Sequence, residues 1–133
     1  ESPVRGLATS GWRGRSQSLG IADAVTVLSS SSASADAAAT LIANNVNIEH
    51  PGIIRRPACD VKDDSDLGMR PVTVNVPFLN EKEVSQALRK GAESAKAMIR
   101  KNKIQSVYLS MQEQTLIIEN SSTEIKNECT NKS

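Results

Sequence analysis

The sequence predicts an α+β domain in which a mixed or antiparallel sheet packs against two main helices. Three observations carry this reading. Residues 33–46 and 81–101 have helical character. Ala24–Leu28 (AVTVL) and Pro71–Val76 (PVTVNV) are short, β-branched and apolar or alternating. Ile104–Met111 and Thr115–Glu119 flank Gln112-Glu113 as the arms of a terminal hairpin.

Taken in order, residues 4–9 read as a short strand, turning at Ser10-Gly11. GWRGR is a loop, Ser16–Leu19 a short strand, and Ala24–Leu28 a largely buried one. Ser29–Ser34 is a polar loop supplying helix caps. The helix that follows, about Ala33 to Val46, is rich in alanine, which favours helix and permits close packing on a sheet. From Asn47 to Met69 the pattern breaks up around the His50-Pro51-Gly52 turn and the polar run 62–68. Asn80 with Glu83 resembles a capping box with Asn in the Ser/Thr position. In the long helix from Glu81, Val84, Leu88, Gly91, Ala92, Ala95, Met98 and Ile99 share a core-facing stripe. Residues 1–119 are therefore expected to form the domain, and the polar stretch 120–133 a disordered tail. The first residues read like the interior of a fold, so the chain is expected to be the C-terminal part of a longer protein.

Composition narrows the function classes. The 133 residues are 38% hydrophobic and 23% charged, with net charge +1 and Trp12, Phe78 and Tyr108 as the three aromatics. The core must be aliphatic. Neither a base-stacking platform nor a broad basic footprint for nucleic acid or membrane is present. Cys59 and Cys129 lack CxxC spacing and read as cytoplasmic thiols. With His50 the single histidine, a zinc site is not expected. Asp63, Asp64 and Asp66 fit a solvated loop better than a calcium loop, because Val74 stands where the closing carboxylate belongs.

Two places hint at chemistry. Asp36 and Thr40 are four residues apart near a helix start, one turn above the other. A carboxylate and a hydroxyl so stacked suit a hard cation such as magnesium. The same residues also fit a plain helix start, an acid favoured by the helix dipole and a threonine bonded to its own backbone. The second place is Thr9-Ser10-Gly11 with Arg13 and Arg15. A hydroxyl–glycine turn exposes backbone N–H groups, and nearby arginines neutralise phosphate; an ordinary glycine turn with solvated arginines is the commoner arrangement. Asp23 is either a strand-edge turn residue or a carboxylate that orients an arginine of this loop.

These residues resemble a known family. ATSG at 8–11, AVTVL at 24–28 and ADAAAT at 35–40 resemble the C-terminal part of the ApbE superfamily, named for flavin transferases once linked to thiamine biosynthesis. TSGWRGRSQSLGIADAVTVL, ADAAATLIAN, the His-Pro turn and SDLG-x-R-x-VTV look like an uncharacterised branch of it, over roughly residues 3–100. The resemblance implies an ApbE-like domain that is part of a larger duplicated fold. It implies that Asp36 and Thr40 bind magnesium, and that Thr9, Ser10, Gly11, Arg13 and Arg15 meet FAD, FMN or another nucleotide diphosphate. The family's His-x-x-Asp-Pro segment is missing between Trp12 and Asp23, and its Gly-rich, lysine-bearing segment is not in this chain. Two readings therefore stand: a magnesium-dependent flavin transferase-like enzyme completed by an N-terminal half or another copy, and a non-catalytic ligand-binding or subunit-interaction scaffold. The partner expected in both is a small anionic molecule.

Overall fold

A computed structural model describes residues 6–14, 17–63, 65–101 and 104–119, and the backbone of 125–127. The elements run β1 (Gly6–Ser10), β2 (Ala24–Ser29), α1 (Ser32–Asn45), β3 (Ile54–Pro57), α2 (Ala58–Val61), β4 (Pro71–Asn75), α3 (Glu81–Arg100), β5 (Ser106–Met111), β6 (Gln114–Glu119) and β7 (Ile125–Asn127). The main sheet has the order β1-β2-β5-β6-β7, and every neighbouring pair in it is antiparallel. A separate antiparallel ribbon joins β3 and β4. The expected α+β architecture with two main helices is the one observed.

The alternation within the strands decides which face is buried. Val25 pairs with Leu109 and Leu109 with Leu116; Val27 pairs with Val107 and Val107 with Ile118. All of these are buried, together with the helix stripes Ala35, Ala39, Ile42 and Ala43 of α1 and Val84, Leu88, Ala92, Ala95 and Ile99 of α3. Both helices thus cover one face of the sheet, α1 over β1 and β2 and α3 over β5 and β6. The other face carries the row Thr26, Tyr108 and Ile117, with Tyr108 exposed.

Caps explain where the helices begin. The Ser31 hydroxyl accepts from Ser34 N at 3.1 Å, so α1 starts one residue earlier than expected. Asp36 consequently lies beyond the first turn, where the helix dipole has less hold on it. At α3 the full capping box forms: Glu83 N donates to Asn80 Oδ1 at 2.8 Å and Asn80 N to Glu83 Oε1 at 3.0 Å.

Three expectations change. The strand expected at Ser16–Leu19 is absent among its described residues, 17–19. Its polar groups go elsewhere: Ser18 Oγ and Leu19 N both donate to Asn44 Oδ1, and Ser18 O accepts from Thr73 N at 2.9 Å. The stretch 47–69 holds β3 and the single-turn α2, where no pattern was read. Within the polar tail, Ile125–Asn127 pairs with β6; the remainder of 120–133 lies outside the described residues. Among the described residues, no helix is long and apolar enough to cross a membrane.

Candidate functional site

The start of the β1–β2 connection is tied by backbone contacts to the residues that lead into β2. Its first residue, Gly11, presses on the backbone of Asp23: a Cβ there would lie 2.2 Å from the Asp23 carbonyl oxygen. Trp12 N donates to Ala22 O at 3.1 Å, and Gly14 N closes a turn onto Gly11 O at 3.3 Å. The Arg13 guanidinium sits 5.2 Å from the centroid of the Trp12 ring, within cation–π range. It also lies 3.7 Å from Asp23 Oδ1. The other oxygen of Asp23 accepts from Gln112 N at 2.7 Å, anchoring the carboxylate to the β5–β6 turn, where Gln112 has φ 51°. Of the two roles left open for Asp23, the arginine-facing one is observed, and the residue also holds the hairpin.

Opposite this loop stands the β3–β4 ribbon with α2. Segment 17–19 laces the two together. Gln17 Nε2 donates to Ala58 O at 3.2 Å, the Ser65 hydroxyl donates to Gln17 Oε1, and Arg55 Nε donates to Leu19 O at 3.2 Å. Arg55 also reaches Asn47 Oδ1 at 2.7 Å, and its burial lowers the guanidinium from its ordinary pKa through desolvation.

Between loop and ribbon lies a cavity of about 540 Å³. Trp12, Arg13, Gln17, Lys62, Thr73 and the valines 61, 72 and 74 line it, with Gly14 at its lip. Its volume falls within the range of small-molecule sites. Two of its lining residues carry buried polar atoms, Trp12 Nε1 and Thr73 Oγ1, that have no hydrogen-bond partner among the described residues. Leaving such a group unpaired costs about 1–3 kcal/mol, so a buried orphan calls for an explanation. Thr73 is 5% exposed.

The sequence-predicted residues distribute unevenly around this cavity. Arg13 lines it and Gly11 shapes its loop. Ser10 is buried, its hydroxyl also without a partner among the described residues, but it does not line the cavity. Thr9 is on the exposed face of β1, where its hydroxyl bonds that of Thr26 at 2.9 Å. Arg15 lies outside the described residues. Asp36 and Thr40 are both exposed on the outer face of α1 and do not line the cavity. The hairpin register explains the separation. Gly6 pairs with Ser29 at the end where α1 starts, whereas Ser10 pairs with Val25 at the end where the cavity loop turns.

Asp36 and Thr40 offer two oxygens of the kind hard cations take, and magnesium accepts one or two carboxylates with ligand phosphates and water completing its shell. Among the described residues, no group of three or more His, Cys, Asp and Glu side chains is placed to hold a metal. The pair therefore fits a cation only with oxygens contributed by a ligand. Trp12, Lys62 and Thr73 escaped sequence reading. Thr73 stands between Val72 and Val74, so strand alternation puts it on the polar face; it is buried instead, in the segment that docks through the bond of Thr73 N to Ser18 O.

Fold and site together define a two-layer α+β domain with a ligand-sized cavity beside its β1–β2 loop. A family model described as AbpE bacteria matches residues 1–120, and the chain belongs to that family. No curated protein and no solved structure matches the chain.

Proposed function

We propose that this domain is an ApbE-like module that binds an anionic small molecule, a flavin or another nucleotide phosphate, in the Trp12–Thr73 cavity. One observation carries the reading: a cavity of small-molecule size has Arg13 and Lys62 in its lining beside the apolar valines. Arg13 is held in place by Trp12 and Asp23, which reduces the ordering needed when an anion arrives. Asp36 and Thr40 are the proposed grip for magnesium. A cation there would supply positive charge to phosphate oxygens brought to the outer face of α1. Because that pair and the cavity stand apart, the reading for this chain alone is binding, with FMN transfer reserved for an assembly that adds a second copy or an N-terminal half. The proposed setting is the cytoplasm.

Isothermal titration of the full chain with FMN, FAD and ADP in magnesium buffer tests this. A saturable one-to-one isotherm with at least one of them is expected; no binding by any of the three overturns the reading. Asp36→Ala should abolish magnesium binding and leave the thermal midpoint unchanged. A large fall in that midpoint would make Asp36 a structural residue instead.

A further inference from the structure

We draw no further inference here: the strongest candidate, the outer face of the main sheet, on which Leu7 and Tyr108 are exposed beside Thr9 and Thr26, carries no proposal because nothing in the structure shows what covers it.

Discussion

Gly11 is where the cavity loop meets the start of β2, and its lack of a side chain is what permits the approach. A methyl group at this position would sit 2.2 Å from the Asp23 carbonyl oxygen, a backbone atom that cannot swing away. Gly11→Ala is therefore expected to destabilise the domain by about 1–3 kcal/mol, the usual range for overpacking. Thermal denaturation measures this, and because the loop carries Trp12 and Arg13, ligand affinity should fall with it. Asp23 acts differently. Its exposed pair with Arg13 contributes little to stability, whereas its bond to Gln112 N ties the start of β2 to the β5–β6 turn at 2.7 Å. Asp23→Ala should cost about 1.5–3 kcal/mol, mostly through the loss of a charge-assisted acceptor. Asp23→Asn, which keeps an acceptor oxygen, should recover much of that loss in the same unfolding assay. The sequence made Gly11 and Arg13 visible as a turn and a charge. It did not reveal that Trp12 Nε1 and Thr73 Oγ1 lack partners among the described residues, because that is a property of the packed interior.

Among the elements, α3 was readable at every level. Its apolar stripe recurs at helical spacing, and the Asn80–Glu83 box marks its first residue. Asn80→Ala removes one half of that box and should cost about 1 kcal/mol, with little change in ligand binding because α3 does not line the cavity. Chemical denaturation of the variant checks the first expectation and isothermal titration the second. The β3–β4 ribbon and α2 were not readable for a physical reason. Ile54–Pro57 is IRRP, with two charges and a proline in four residues, and Ala58–Val61 completes one turn. Neither is long enough to show a period. What fixes them is docking through Gln17, Ser18 and Leu19, partners about 36 to 55 positions away in sequence. The same docking engages Ser18 O and Leu19 O, within the strand expected at Ser16–Leu19.

At the scale of the molecule, two helices and a sheet close around an aliphatic core, and Gly91 sets their distance. A Cβ there would lie 2.4 Å from Val46 Cγ2 and 2.9 Å from Leu109 Cδ2. Gly91→Ala should therefore destabilise, although alanine is the better helix former by about 1 kcal/mol. Leu109, fully buried at the centre of the sheet, should cost about 2–5 kcal/mol when cut to alanine. The α+β class and the helix-on-sheet layering were legible because they follow from periodicity. The cavity was not, because it forms between a loop and a ribbon far apart in the chain. Asp36 and Thr40, the pair that stood out in the sequence, prove to be on the far side of α1 from the sheet and outside the cavity. The domain's proposed ligand chemistry therefore centres on the cavity beside Trp12, with Arg13 and Lys62 in its lining. Trp12 is the single tryptophan, so an amide-proton NMR spectrum of the nitrogen-15-labelled chain contains one indole N–H signal. Titration with FMN should move that signal saturably, with the affinity found by isothermal titration. An indole signal that stays in place while FMN saturates the protein would contradict the assignment of the cavity as the ligand site.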